Sequence, residues 1–289
     1  MSFSTDVKNE ILNTWSKKAC CKNSETYGLL LFGGTFSSRN ITCTSENENV
    51  IRHFKSMLWK TQNAECEMQI QHNNYTAVVD QARTSDVFLH FETYNLDFDR
   101  LFVCEKCRSA FIRGAFLTGG FISDPQKEYH LEFTSKSEIA AWNLCKTLNE
   151  TGIFAKLTER SRKFVVYLKE SEQIEDCLTL LGATGAALEM MNTKIYKDIR
   201  NNVNRVTNFE TANIKKTAQS SARQLEAIEK IEFAGKMASL PDELQTVAKI
   251  RLENPEASTA EIAKLLGLSR SGVHHRLAKL IDIAKELQG

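Results

Sequence analysis

A glycine-rich motif occurs twice in the chain and limits it to folds built from two similar halves. The segments YGLLLFGGTFS (27–37) and RGAFLTGGFIS (113–123) both read x-G-x-x-x-x-G-G-x-x-S. Gly28 therefore has its counterpart in Gly114, 86 positions later. A pattern that recurs at a fixed spacing indicates a duplicated structural unit. We predict two related halves in the first two thirds of the chain.

The glycines of the motif predict how the halves meet. Gly28 and Gly114 lack a Cβ and would let two helix backbones approach closely. The pairs Gly33–Gly34 and Gly119–Gly120 would each end a helix through a left-handed turn into a strand. We expect the two motif helices to form a pseudo-twofold seam between two sheets. The alternative is a pair of unrelated helix C-termini.

The residues after each motif repeat the same order of elements. The first copy is followed by two short strands, a helix over 46–59, two more strands and a short helix over 85–90. The second copy is followed by the same order, with helices over 136–149 and from about 172. Both halves thus read αββαββα. The predicted fold class is α+β, with this duplicated domain over 1–199 and repeats at about 1–92 and 104–199.

The C-terminal residues predict an all-α helix-turn-helix domain over 221–289. A helix has Pro241 in its first turn and ends before Pro255. A capping box, Ser258-x-x-Glu261, opens a short second helix, and Gly267 permits a tight turn into a third. The predicted core positions are Leu244, Val247, Ala248, Leu252, Ile262, Leu265, Leu266, Leu268, Val273, Leu277, Leu280 and Ile281. A linker over 200–220 precedes this domain and is extended at first. The chain becomes helical after residue 213, and this helix runs on into the domain with candidate apolar positions Ile214, Ala218, Leu225, Ile228 and Ile231.

The third helix has the features of a helix that reads the DNA major groove. It has no acidic residue between Ser269 and Leu280. Arg270 near its start could pair bidentately with guanine. The predicted DNA-binding residues are Ser258, Thr259, Ser269, Arg270, Ser271, His274, His275, Arg276 and Lys279. Double-stranded DNA is the expected partner, and a three-helix protein-interaction module is the alternative. Separately, His274 and His275 could be ordinary surface residues.

Within that set we expect different tasks. Arg276 and Lys279 would bind phosphates, which adds affinity and salt sensitivity without sequence choice. Ser258 and Thr259 would meet the DNA backbone at the N-terminus of the preceding helix. A set of basic and amide residues in the linker could contact phosphates or dock the two domains, and a solvated polar linker is the alternative: Asn204, Arg205, Asn208, Asn213, Lys215 and Lys216.

Charge and hydropathy place weaker limits on the partners and the location of the protein. The chain has 37 Lys and Arg against 36 Asp and Glu, so its net charge of +1 does not indicate general affinity for nucleic acid. Residues 200–289 hold 14 basic and 11 acidic residues, which favours the C-terminal part as the phosphate-facing end. The first residues are polar and include an acid, so no signal peptide is expected. No apolar stretch is long enough for a membrane span, and we expect a cytoplasmic protein.

The eight cysteines are expected to be reduced thiols. Cys104-x-x-Cys107 resembles half of a zinc site, but no second pair follows at finger-like spacing. Cys20 and Cys21 could supply ligands from afar, although adjacent cysteines seldom chelate one ion. We predict no metal site and no cofactor, and interpret the pair as two thiols near a helix start. A redox sensor built on Cys104 and Cys107 is the alternative.

The duplicated motif resembles the LAGLIDADG homing endonucleases, whose motif helices pack at a pseudo-dyad above two DNA-facing saddles. In that family an acid precedes the last motif glycine in each copy and holds the metal ions for cleavage. The matching residues here are Gly33 and Gly119, which offer no ligand. Asp124 lies just beyond the second motif, where its counterpart is Ser38. We predict a retained scaffold without catalytic residues.

A degenerate scaffold of this kind joined to a helix-turn-helix resembles the WhiA family of bacterial regulators. The resemblance spans nearly the whole chain and is most specific in FIRGAFLTGGFISDP (111–125), NRVTNFETANIKKT (204–217) and SRSGVHHRLAKL (269–280). It implies a nucleoid-associated, non-enzymatic DNA-binding protein in transcriptional control, cell division, chromosome segregation and, in spore-formers, sporulation. Two alternatives are a residual nuclease that uses unconventional acids and a scaffold that binds a protein partner through its N-terminal domain.

Overall fold

A computed structural model describes residues 2–14, 17–72 and 74–287. The chain divides into two compact units, Met1–Lys197 and Asp198–Gly289. Within the described ranges, no helix combines the length and the apolar character that crossing a bilayer requires.

The first unit contains two copies of one element order, as predicted. Helix α1 (Phe3–Leu12) precedes both copies. The first copy consists of α2 (Ala19–Gly33), β1 (Gly34–Phe36), β2 (Ile41–Ser45), α3 (Glu48–Gln62), β3 (Cys66–Gln71), β4 (Asn74–Val79) and α4 (Gln81–Leu96). The second consists of α5 (Glu105–Gly119), β5 (Gly120–Ile122), β6 (Leu131–Ser135), α6 (Glu138–Glu150), β7 (Lys156–Arg160), β8 (Lys163–Leu168) and α7 (Ser171–Leu181). Both copies are αββαββα, which confirms the predicted duplication and the α+β class.

The two sheets share one topology. Their strand orders are β1-β2-β4-β3 and β5-β6-β8-β7, and all pairs are antiparallel. Ser45, at the end of β2, faces Tyr75, and its counterpart Ser135 faces Phe164. The first residues of β2 and β6, Ile41 and Leu131, are fully buried in the core. Alternate positions of these strands therefore anchor each sheet to the helices that cover it.

Helices α2 and α5 cross at the predicted glycines with their backbones in contact. A Cβ on Gly28 would lie 2.8 Å from the backbone nitrogen of Ala115, and nearer still to the carbonyl oxygen of Phe111. A Cβ on Gly114 would lie 2.9 Å from the nitrogen of Leu29. The contact is reciprocal, as a pseudo-twofold axis between the repeats requires, and no side chain larger than hydrogen fits at either position.

A buried carboxylate lies beside this crossing. Glu25 of α2 is 1% exposed, and its oxygens lie 3.5 Å from Nε of Arg113 and 2.7 Å from Nε2 of His53. Arg113 belongs to α5, so this ion pair joins the two motif helices. A buried charge is tolerated because its partners are also withdrawn from water and bonded to it.

The prediction of left-handed turns at the Gly-Gly pairs is wrong. Gly34 has φ 161°, which is extended, and Gly120 has φ −85°. Glycine is required there because the first strand of each sheet starts at the helix end and passes close to the backbone of the neighbouring strand. A Cβ on Gly34 would lie 2.7 Å from the carbonyl oxygen of Thr42, and one on Gly119 would lie 2.8 Å from that of Thr134.

Helix α8 (Thr184–Phe233) begins in the first unit and ends in the second. Ala186 and Met190 belong to the first core, and Ile228 and Ile231 to the second. The extended conformation predicted for the start of 200–220 is wrong, because 201–220 contains no glycine or proline to interrupt the helix. Two of its five predicted apolar positions are exposed instead of buried, namely Ile214 and Ala218.

The second unit continues with α9 (Asp242–Glu253), α10 (Thr259–Leu266) and α11 (Arg270–Glu286). Most predicted core positions are confirmed, including Leu244, Val247, Ile262, Val273, Leu277 and Leu280. Leu265 is instead 60% exposed and Leu268 is 38% exposed. In a helix of only two turns the inward arc is narrow, and Ile262 and Ala263 are the α10 residues buried in it.

A buried arginine closes the turn between α9 and α10. Arg251 is 1% exposed, and its Nη1 donates to the carbonyl oxygens of Ala257 at 2.6 Å and Asn254 at 3.3 Å, and to Oγ of Ser221 at 3.2 Å. The Ser221 hydroxyl in turn donates to the carbonyl oxygen of Pro255. Burial lowers the pKa of Arg251, but a guanidinium keeps its proton. This group, the Arg251 clamp, fastens the turn to α8 and so fixes where α10 begins.

Replacing Gly114 by alanine should destabilise the first unit by at least about 2 kcal/mol, because the new methyl group would press on the α2 backbone. Thermal unfolding of the full chain measures this. Gly185→Ala is the matched control, since the atoms nearest to its Cβ belong to the side chain of Glu10, at 3.0 Å, and not to a helix backbone. Equal stability of the Gly114→Ala and Gly185→Ala variants would contradict the tight crossing.

Replacing Arg251 by methionine should destabilise the second unit by about 2–4 kcal/mol, because buried carbonyl oxygens lose their donor. Hydrogen–deuterium exchange over 242–287 in the full chain should become at least about tenfold faster. Lys249→Met, at an exposed position of the same helix, should leave the exchange unchanged. Wild-type exchange in the Arg251→Met variant would show that the clamp does not stabilise the turn.

Candidate nucleic-acid interface

The elements α10 and α11 form a capped helix-turn-helix. Ser258 accepts a hydrogen bond from the Glu261 amide at 3.3 Å, and the Glu261 carboxylate accepts one from the Ser258 amide at 2.7 Å. This completes the predicted capping box. Gly267 ends α10 in the left-handed region, at φ 64°. Ser269 then caps α11 by accepting from the Gly272 amide at 3.1 Å.

The start of α11 presents two ridges of predicted DNA-binding side chains to solvent. Arg270 and His274 form one ridge, Ser271 and His275 the other, and all four are exposed. Members of each ridge are four residues apart and therefore lie on one face of the helix. The opposite face is buried through Val273, Leu277 and Leu280. The structure thus brings these four residues together at the N-terminal end that would enter a groove.

Lys279 extends the exposed face by one further turn. Ser269 is exposed as well, but its hydroxyl is engaged as the helix cap and lies 3.2 Å from Oγ of Ser271. The face from 269 to 280 therefore carries positive charge without an acidic residue of its own.

Arg276 differs from the other predicted residues because an acid on α9 holds it. Its Nη2 and Nε lie 2.8 Å and 3.1 Å from the same carboxylate oxygen of Glu243, and the side chain is 23% exposed. This ion pair ties α11 to the first turn of α9. The sequence did not suggest the pairing, because 33 residues separate the partners.

The N-terminus of α10 is occupied by its own acid. The Glu261 carboxylate accepts from the Ser258 amide, which lowers the pKa of Glu261, and it brings negative charge to the place where a phosphate was expected. Thr259 is half-buried beside it. Ser258 and Thr259 thus lie together at the expected position, with Ser258 engaged in capping.

The pseudo-dyad end of the first unit contains glycine where a homing endonuclease has acids. Gly33 and Gly119 are the last residues of α2 and α5. A Cβ at Gly33 would lie 2.7 Å from Sγ of Cys43, so a carboxylate side chain does not fit there without rearrangement.

The opposite ends of the same two helices bring four thiols together. In the described part of the chain, Cys20, Cys21, Cys104 and Cys107 are the one group of three or more His, Cys, Asp or Glu side chains placed to hold a metal ion. Cys20 and Cys21, which the sequence left open as distant ligands, lie beside the CxxC pair because the seam between α2 and α5 aligns the two helix N-termini.

Arg251 is the residue near this interface that sequence reasoning missed. The available indication was a cation in the last turn of a helix, followed by Asn254 and Pro255, where free carbonyl oxygens are expected.

Family models match both units of the chain. The WhiA LAGLIDADG-like domain matches residues 108–200, and the WhiA C-terminal HTH domain matches residues 203–284.

Curated proteins and a solved structure match the whole length. Two relatives, each named a probable cell division protein WhiA, come from Alkaliphilus metalliredigens and Alkaliphilus oremlandii. They are 35% and 37% identical, over all of this chain and 99% and 98% of theirs. The crystal structure of full-length DUF199/WhiA from Thermatoga maritima is 28% identical, covers 99% of both chains and superposes with a TM-score of 0.64. The chain belongs to the WhiA family.

Proposed function

We propose that this protein is a non-enzymatic DNA-binding regulator that reads double-stranded DNA through α10 and α11. The observation that carries the proposal is the exposed, acid-free N-terminal face of α11 on a capped helix-turn-helix. An exposed recognition helix with a cation and small polar side chains at its start suits the edges of base pairs in the major groove.

In this proposal Arg270 is the main base-reading residue. It lies at the first position of α11 and is exposed. Its guanidinium could donate two parallel hydrogen bonds to guanine, a geometry that discriminates bases by about 1–3 kcal/mol. Ser271, His274 and His275 lie beside it and would contact neighbouring base edges or the sugar–phosphate backbone.

Lys279 is the best placed phosphate contact. It is exposed two turns farther along α11. Arg276 has the same charge but is neutralised by Glu243, so a phosphate would have to compete with that carboxylate. We therefore assign Arg276 a smaller share of the binding energy than sequence alone suggested. Thr259 remains a candidate phosphate contact, and Ser258 and Ser269 act chiefly as helix caps.

The absence of nuclease chemistry is the second part of the proposal. Phosphodiester hydrolysis by this scaffold would need carboxylates at the motif-helix ends to place the ions and the attacking water. Gly33 and Gly119 provide none.

The proposed biological role rests on the relatives of this chain. Relatives over the full length are named for cell division. We infer a role in cell division, exerted at the nucleoid through transcriptional control, with chromosome segregation as a further expected process.

A protein-binding role of the first unit is the second candidate function. Ile139 and Trp142, one turn apart on α6, are 62% and 56% exposed. Adjacent large apolar side chains on a surface often mark a contact for another protein. This role is compatible with DNA binding by the second unit.

Arg270→Ala should weaken binding to a duplex selected by the wild-type protein from a random-sequence pool by about tenfold or more, and binding to a scrambled duplex much less. Lys279→Ala should weaken both and reduce the slope of log affinity against log salt by about 1. Fluorescence anisotropy across a salt series measures both effects.

Lys285→Ala is the control for these variants. Lys285 is an exposed cation in the last turn of α11, 2.9 Å from Asp282, and its loss should leave affinity unchanged. Wild-type affinity in the Arg270→Ala, Lys279→Ala double variant would show that α11 is not the reader.

Purified protein should not nick a supercoiled plasmid carrying the selected duplex, with either Mg²⁺ or Mn²⁺. Agarose gel electrophoresis of the relaxed form measures this. Metal-dependent nicking that disappears in an Asp124→Asn variant would instead establish a nuclease with unconventional acids.

A further inference from the structure

The four-cysteine cluster is formed by the N-terminal ends of the two motif helices. Cys20 and Cys21 lie in the first turn of α2, Cys104 is the N-cap of α5 and Cys107 lies in its first turn. Cys21 and Cys107 are separated by 86 residues, the offset of the motif glycines, so they are related by the pseudo-dyad. The backbone crossing at Gly28 and Gly114 lies about two turns away and holds the two helix starts together.

The distances between the sulfur atoms fit a tetrahedral ion. The Sγ of Cys104 lies 3.7 Å from that of Cys20, 3.5 Å from that of Cys21 and 3.5 Å from that of Cys107. Cys21 and Cys107 are 4.0 Å apart, and all four sulfurs lie within 4.8 Å of one another. Four sulfurs at about 2.3 Å from a zinc ion are about 3.8 Å apart at their tetrahedral positions. Disulfide sulfurs lie far closer, at about 2.05 Å.

We propose that Cys20, Cys21, Cys104 and Cys107 bind one zinc ion in a closed, structural site. Binding would release the four thiol protons to solvent as each sulfur becomes a thiolate ligand. With four protein ligands, no position remains for water or substrate, so the ion supports structure and not hydrolysis.

The surroundings of the cluster suit the charge of such a centre. A zinc ion with four thiolates carries two negative charges, and the N-termini of α2 and α5 both point their positive dipole ends toward it. Lys17, Lys18 and Lys106 line the same cleft as Cys21. Cys21 and Cys107 are buried, and Ala110 and Phe102 pack against the cluster, which limits solvent access from that side.

The site would join the two repeats independently of their apolar core. Two ligands come from α2 of the first repeat and two from α5 of the second. An ion held in this way cross-links the helix starts at the seam. Its binding free energy would then add to the stability of the first unit, because the unfolded chain does not hold the four sulfurs together.

Metal content of the full-length protein, purified in reducing buffer without a metal-affinity step, tests the proposal. Elemental analysis by inductively coupled plasma mass spectrometry should find about one zinc ion per chain. Cys104→Ser should lose most of the zinc. Cys145→Ser should retain it, because Cys145 is a half-buried thiol outside the cluster. Folded wild-type protein without zinc, iron in place of zinc, or zinc retained in Cys104→Ser would each overturn the proposal.

Cobalt substitution of the wild-type protein keeps the test decisive if a cysteine variant fails to fold. Wild-type protein depleted of metal by a chelator and titrated with Co²⁺ should develop intense visible bands of tetrahedral cobalt and near-ultraviolet thiolate charge-transfer bands. Saturation is expected at about one equivalent. The weak absorption of octahedral cobalt alone would refute a four-sulfur site.

Discussion

The backbone contact between α2 and α5 determines much of the first unit. Because only hydrogen fits at Gly28 and Gly114, the two helices cross at one place and in one relative orientation. The sheets start directly from the C-terminal ends of the same helices, and the thiols gather at their N-terminal ends. A single steric constraint in the middle of the helix pair therefore positions the sheets at one end and the thiols at the other.

The second unit is organised by a polar centre instead. Arg251 gathers carbonyl oxygens from the turn before α10 and the hydroxyl of Ser221 on α8. Apolar packing beneath α9, α10 and α11 supplies the larger share of stability, but it does not by itself fix the path of a turn. The clamp does so, and Gly267 and Ser269 then direct the start of α11 outward. The face that we propose to read DNA thus depends on a residue that does not touch it.

Structural features could be predicted from the sequence where the pattern that indicates them is periodic or local. The repeated glycines, the order αββαββα and the capping box at Ser258 are all confirmed, because each follows from spacing within a few turns or from the fixed offset. Leu265 was misplaced because a two-turn helix gives too few positions to define its inward face, and Leu268 because it lies in the turn after α10, where helical spacing does not apply. The proposed DNA contacts stay predictions, and the pairing of Arg276 with Glu243 was out of reach because it depends on how α9 packs against α11.

The sequence analysis considered the four cysteines together but predicted no site, although Cys21 and Cys107 share the offset of the motif glycines. The other two thiols break that correspondence: Cys104 has Lys18 at the equivalent position, and Cys20 has Lys106. A symmetric dimer of a single repeat could not produce this set, because every residue would appear twice around its axis. The cluster is thus a property of covalent fusion. Once both halves belong to one gene product, each can mutate separately, and a site can arise that neither half could encode alone.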